Sequence, residues 1–82
     1  MYLSVQLSCY PLKEEYKQPI KDLIARLEQT GLEVYPGRMS TEIFGDYDEV
    51  MSTLSDTMKW SFETYGKSVF VAKIMEGDRR PK

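Results

Sequence analysis

Apolar and polar residues alternate over the first ten positions, with the apolar side chains at Leu3, Val5, Leu7 and Cys9. A period of two predicts a β-strand with one buried face. The strand is expected to end at Pro11, because proline cannot donate a hydrogen bond to a sheet.

A helical period follows the first strand. Five apolar residues are spaced for one helix face, at Tyr16, Ile20, Leu23, Ile24 and Leu27. This spacing predicts a helix over residues 13–30. We expect Gly31 to cap its C-terminus, because glycine adopts the left-handed conformation without steric cost.

Two short strands are predicted next, over residues 32–35 and 38–44, separated by Pro36-Gly37. The Pro-Gly pair favours a type II turn, so we expect a hairpin loop of more than two residues. The second strand places Met39, Thr41 and Ile43 on one face. Gly45 ends this strand and is interpreted as part of the turn into the next helix.

The second helix is predicted over residues 46–65. Asp46 is a good N-cap with Glu49 three positions later, and Gly66 is the expected C-cap. The apolar stripe consists of Tyr47, Val50, Met51, Leu54, Met58, Phe62 and Tyr65. Trp60 lies off this stripe, so it is either an exposed interface anchor or a side chain that packs over the helix end.

Residues 68–74 form a last strand with apolar residues in both phases. The order strand, helix, strand, strand, helix, strand predicts an α+β, ferredoxin-like βαββαβ sandwich. Both helices are expected on one face of a four-stranded antiparallel sheet. Residues 1–75 form this single domain, and residues 76–82 form a polar C-terminal tail, most simply a solvated end.

Composition narrows the function. The chain of 82 residues has a formal charge of −2, no histidine and one cysteine, Cys9. The charge argues against nucleic-acid binding, and the lack of histidine removes the commonest general base and metal ligand. We expect no enzyme activity, no cofactor and no metal site. No leader or membrane-inserting segment is recognised, and a cytoplasmic location is expected.

The sheet face opposite the helices is expected to carry a mixture of aromatic and polar side chains. The last strand adds either Val69, Val71 and Lys73 or Phe70, Ala72 and Ile74, and the sequence leaves both phases open. Such a face suits a subunit interface, a small polar ring, or both. The other expected members are Gln6, Ser8, Tyr10, Tyr35, Ser40, Glu42 and Phe44.

Two segments in register resemble one known family. Residues 6–12 (QLSCYPL) resemble the first-strand signature of the YkoF-like proteins, which bind thiamine and its hydroxymethylpyrimidine moiety, and residues 39–45 (MSTEIFG) resemble their third-strand element. The resemblance covers about residues 2–75. It implies the same fold and, for a chain with one repeat, a homodimer or homotetramer formed through the sheet. The chain departs from the family pattern at Lys13 and Ser40, where relatives often have glycine.

The resemblance makes a thiamine-like pyrimidine the expected small-molecule ligand. Its flat ring suits an aromatic or apolar wall, from Tyr10, Phe44 or Tyr35. Its exocyclic amine needs an acceptor and its ring nitrogens need donors. The predicted ligand-binding residues are Gln6, Ser8, Tyr10, Ser40, Thr41, Glu42 and Phe44, with Glu42 also expected near the thiazolium cation.

Other functions of this fold are less well supported. The segment after the first strand lacks the arginine of acylphosphatases, and no Cys-x-x-Cys pair of a metallochaperone is present. The remaining alternative is a regulatory or purely oligomeric module that binds another small metabolite or none. On the preferred hypothesis, the protein acts as an oligomer in vitamin transport, buffering or sensing.

Overall fold

The structure is a computed structural model that describes residues 1–81. Its four strands form one antiparallel sheet in the order β2-β3-β1-β4. The βαββαβ order confirms the predicted ferredoxin-like α+β fold. The elements are β1 (Tyr2–Pro11), α1 (Lys17–Glu28), β2 (Glu33–Pro36), β3 (Thr41–Asp46), α2 (Tyr47–Tyr65) and β4 (Ser68–Glu76).

The core lies between the sheet and the two helices. The alternation in the first strand predicted its buried face correctly, since Leu3, Val5 and Leu7 are all buried together with Ile43 of β3. The helices complete the same apolar cluster with Leu23, Leu27, Val50 and Leu54. Burial of each such side chain contributes about 1.5–3 kcal/mol to folding.

Helix α1 is shorter than predicted at both ends. It begins at Lys17 because the Glu15 carboxylate accepts hydrogen bonds from the backbone N–H groups of Lys17 and Gln18. It ends at Glu28, and the Thr30 hydroxyl donates to the carbonyl of Leu27. The expectation of a left-handed glycine cap was wrong, because among the described residues only Gly66 and Gly77 have a positive φ.

Helix α2 buries only part of the predicted stripe: Val50 and Leu54 are in the core, and Met51 and Met58 pack against it partly buried. Its buried residues are Val50, Leu54, Thr57 and Ser61, whereas Tyr47 and Phe62 are exposed. The apolar pattern did not predict the burial of the small polar side chains of Thr57 and Ser61. The caps are confirmed: Asp46 accepts from the N–H of Asp48, and Gly66 has a φ of 83°.

Trp60 is partly buried and packs against the core beside residues of both helices. The Arg26 guanidinium lies 4.7 Å from the centre of its ring, and Tyr65 meets it edge to face at 5.9 Å. The Tyr65 hydroxyl also donates to Asp22 of α1. Of the two readings of Trp60, the structure therefore supports packing.

The hairpin between β2 and β3 has a loop over residues 37–40, which confirms a loop wider than two residues. Strand β3 starts later than predicted, so Met39 lies in the loop and is 89% exposed. Gly45 is a buried strand residue rather than only a turn residue. A Cβ atom at Gly45 would lie 2.4 Å from Cδ2 of Leu32, so the glycine permits a close approach of these two segments.

The chain after β4 crosses the sheet face opposite the helices instead of extending into solvent. The Ser4 hydroxyl donates to the carbonyl of Gly77 and accepts from the N–H of Arg79. The Arg80 guanidinium reaches Glu33 at 2.8 Å on the far edge strand and stacks 5.0 Å from the Tyr2 ring centre. Residues 77–81 therefore form a strap across one end of the open face.

Candidate functional site

The predicted open face exists, and its central row runs across the sheet. Gln6 of β1 lies opposite Glu42 of β3 on one side and Lys73 of β4 on the other, with Tyr35 of β2 beyond Glu42. All four side chains are exposed. The row offers an amide, a carboxylate, an ammonium group and a phenol to solvent.

Phe44 lies on the same face, but it is only 2% exposed. Tyr35 meets its ring edge to face at 5.6 Å. Its two cross-strand neighbours, Ser4 and Glu33, are the residues that hold the strap. The strap therefore covers Phe44, which packs in the folded chain instead of offering a free aromatic wall.

Strand β4 resolves the question of phase that the sequence left open. Its register with β1 places Val69, Val71 and Lys73 opposite Tyr10, Ser8 and Gln6, on the open face. Phe70, Ala72 and Ile74 point to the helix side, where Met51, Met58 and Phe62 of α2 line an apolar groove of about 420 Å³ beside them. Both faces of this edge strand remain partly exposed.

A separate cavity lies at the other end of the sheet, on the helix side. It has a volume of about 340 Å³. It is bounded by the last part of β1, the first turns of α1 and the loop over residues 37–40. The cavity arises because β1 runs four residues past its last partner in β3, since pairing ends at Leu7 and Thr41 and β1 ends at Pro11.

Backbone geometry gives this cavity a polar edge. In an antiparallel pair, one residue directs both its N–H and its C=O to the same neighbouring strand, and successive residues alternate. The N–H of Leu12 donates to the carbonyl of Lys67, and the carbonyl of Tyr2 accepts from the N–H of Gly77. The even-numbered residues of β1 therefore direct their backbone N–H and C=O groups toward β4. Cys9 therefore directs its N–H and C=O to the other side, into the gap beyond β3.

Four of the predicted ligand-binding residues line this cavity: Ser8, Tyr10, Ser40 and Thr41. Thr41 is buried on the helix side, and the Ser8 hydroxyl donates weakly to the Met39 carbonyl at 3.4 Å. The structure does not place the other three predicted ligand-binding residues in the lining of the cavity. Gln6 and Glu42 lie on the open face, and Phe44 lies beneath the strap.

Sequence reasoning missed the helix wall of the cavity. Tyr16, Ile20 and Ile24 line it, although the helical period assigned them to the core. They pack less fully than Leu23 and Leu27 on the same helix. The sequence signal that could have identified this wall is the position of the three residues at the N-terminal end and edge of the apolar stripe of α1.

The thiol of Cys9 also lines the cavity and is half-buried. Burial raises its pKa, because the thiolate loses solvation there. The thiol is therefore neutral at physiological pH and acts as a small apolar part of the wall.

The cavity can hold a flat heteroaromatic ring. Pockets that bind small molecules are concave and mostly apolar with a few placed polar groups, and their volumes begin near about 300 Å³. Here the helix supplies apolar walls, Ser40 and Thr41 supply hydroxyls, and Cys9 supplies an adjacent backbone donor and acceptor. No helix within residues 1–81 is long and apolar enough to cross a membrane.

Comparison with solved structures places this chain in a well-populated fold. A protein of Streptococcus pneumoniae superposes with a TM-score of 0.88 at 22% identity, over 96% of this chain and 90% of that one. A protein of Thermotoga maritima, described as a candidate for thiamine biosynthesis or salvage, superposes with a TM-score of 0.82 at 17% identity, over 90% and 82% of the two chains. A domain of unknown function from Bacillus cereus gives 0.79 at 15%, over 94% and 77%.

These identities are low enough that the superpositions establish the fold alone. No curated protein matches the sequence. A family model described as "Thiamine-binding protein" matches residues 5–82. Because that match covers nearly the whole sequence and agrees with the resemblance found in the two strand segments, the chain belongs to this thiamine-binding protein family.

Proposed function

We propose that this protein binds thiamine or its hydroxymethylpyrimidine moiety in the cavity between β1, α1 and the 37–40 loop, without catalysing a reaction. The observation that carries the proposal is the combination of a ring-sized apolar cavity with the unpaired backbone edge of Cys9. Family membership supports the ligand class.

The backbone edge suits an aminopyrimidine for a simple geometric reason. The exocyclic amine and the neighbouring ring nitrogen form a donor and acceptor side by side. Cys9 presents a C=O and an N–H side by side in the gap where a further strand residue would pair. The ring therefore takes the place of a β-strand residue, accepting from the N–H and donating to the C=O.

The remaining lining residues have roles consistent with this orientation. Ile20, Leu23 and Ile24 pack against the ring, and the hydroxyls of Ser40 and Thr41 bond its second nitrogen or its hydroxymethyl group. Each such hydrogen bond contributes about 0.5–1.5 kcal/mol. The lining contains no histidine, lysine or carboxylate that could act as a base toward its thiol and hydroxyls, so binding is the function that we infer.

We also propose that the protein is a homodimer or homotetramer associated through its sheet. Edge strands with exposed apolar side chains are usually covered by a partner. Strand β4 exposes Val69, Val71, Ile74 and Met75 by 46–50%. The biological role that follows is transport, buffering or sensing of the vitamin in the cytoplasm.

The binding proposal is tested by thermal shift and calorimetry with thiamine, hydroxymethylpyrimidine and unrelated heterocycles. A ligand at 100 times its Kd stabilises the folded state by about 2.7 kcal/mol. In a domain of this size that raises the Tm by about 10 °C or more. Absence of any shift with the pyrimidine compounds at millimolar concentration would refute the proposed function.

The position of the site is tested with two variants on opposite faces of the sheet. Ser40→Leu fills part of the cavity and is expected to weaken pyrimidine binding at least about tenfold, which corresponds to about 1.4 kcal/mol. Gln6→Ala alters the exposed central row outside the cavity and is expected to leave the Kd unchanged. The reverse result would place the ligand on the open face.

A further inference from the structure

The charge of the cavity lining is unbalanced. Among the fourteen described residues that line the cavity, Arg38 is the only one with a charged side chain. Arg38 lies in the 37–40 loop, which is closed by a hydrogen bond from the N–H of Gly37 to the carbonyl of Ser40. Within residues 1–81 Arg38 forms no ion pair. The mouth of the cavity therefore carries an uncompensated positive charge.

The carboxylate expected to balance a cationic ligand lies elsewhere. Glu42 does not line the cavity, because it points to the open face opposite Gln6. The nearby Glu15 carboxylate is engaged by two backbone N–H groups at the start of α1. A cationic ring at the mouth would meet a guanidinium without a neutralising carboxylate in the lining.

We infer that Arg38 makes this site select pyrimidines by charge, favouring an anionic phosphate ester over an uncharged ring and an uncharged ring over a cation. The inference rests on the proposed function and specifies its ligand class. A pyrimidine held by the Cys9 edge leaves its substituent at the mouth, beside the loop. There a phosphate group gains charge-assisted hydrogen bonds from the guanidinium, and a thiazolium cation is repelled by it.

The experiment compares ligands that share the pyrimidine and differ in charge. Calorimetry at low salt gives the Kd values of hydroxymethylpyrimidine, its phosphate ester and thiamine. We expect the phosphate ester to bind about tenfold more tightly than the uncharged compound, the size of one charge-assisted hydrogen bond. Thiamine should bind several-fold more weakly than the uncharged compound, and both differences should shrink at high salt.

Two substitutions assign the effect to Arg38. Arg38→Gln should abolish the phosphate preference while leaving the Kd of uncharged hydroxymethylpyrimidine within about twofold, and Arg38→Glu should reverse the preference toward thiamine. Arg79→Gln is the matched control. It removes the same charge from the strap, where Arg79 contacts Met75, and should change none of the three Kd values.

The outcomes separate this inference from the function on which it rests. If no pyrimidine binds, the proposed function fails. If the uncharged pyrimidine binds and the Kd values neither depend on ligand charge nor respond to Arg38→Gln, the binding function stands and the selectivity is wrong. Equal effects of Arg38→Gln and Arg79→Gln would indicate a general field of the protein and would also overturn the assignment.

Discussion

Replacing Gly45 with alanine places a methyl group where Leu32 already packs. The added Cβ would lie 2.4 Å from Cδ2 of Leu32 and 3.3 Å from Cγ2 of Val50. Carbon atoms in contact prefer about 3.5–4.0 Å, so the Leu32 side chain must move by about 1 Å or more. Because Gly45 is a strand residue with an ordinary φ, the expected penalty comes from packing rather than from backbone strain.

The magnitude follows from how freely Leu32 can move. Overpacking in a core costs about 1–3 kcal/mol. The clashing atom is the end of a flexible side chain that is 9% exposed, so partial relief toward solvent is available. We therefore expect Gly45→Ala to lower the free energy of unfolding by about 1–2 kcal/mol, which lowers the Tm by about 4–16 °C.

Urea denaturation of a double-mutant cycle tests this reasoning. Leu32→Ala alone removes packing and should cost about 2 kcal/mol, but it also removes the clashing atom. The double variant should therefore be more stable, by about 1 kcal/mol, than the sum of the single effects predicts. Gly31→Ala is the control, because a Cβ there meets nothing within 4 Å. Equal stability of Gly45→Ala and Gly31→Ala would refute the close-packing argument.

Three further predictions follow from contacts outside the cavity. Hydrogen bonds from the Tyr65 hydroxyl and, secondly, from the Gln18 amide lower the pKa of Asp22, so Tyr65→Phe should raise that pKa in an NMR titration. The contribution of the Tyr65 bond to stability is present at neutral pH and is lost as the pH falls through the lowered pKa of Asp22. Asp46→Ala should reduce the free energy of unfolding by about 1 kcal/mol in urea denaturation, because it removes the cap of α2. Ser4→Ala removes two hydrogen bonds to the strap and should accelerate tryptic cleavage in the strap by about fivefold or more, and an unchanged rate would show that these bonds do not hold it.

The elements with a clear period were predictable because their burial follows from local geometry. Alternation in β1 assigned Leu3, Val5 and Leu7 to the core, and the Asp46 cap fixed the start of α2. The α2 stripe was not predictable in the same way. Two small polar residues, Thr57 and Ser61, are buried on this helix, and hydropathy does not predict the burial of polar side chains.

The candidate site was also predictable only in part from the sequence. The sequence of the two strand segments was sufficient to identify the family. Four of the seven predicted ligand-binding residues line the cavity. The other three lie away from the cavity, Gln6 and Glu42 in the central row of the open face and Phe44 under the strap. A period of two identifies which residues share a face, but it does not identify which face becomes concave.

By itself, the sequence determined the order of elements, the buried face of β1, the helix cap and the family, because each depends on spacing along the chain. Tertiary structure decided that β1 outruns β3 and leaves the edge of Cys9 open, that residues 77–81 cover Phe44, and that Arg38 alone charges the cavity. These features depend on where distant segments end relative to one another, and that relation exists only once the sheet has paired.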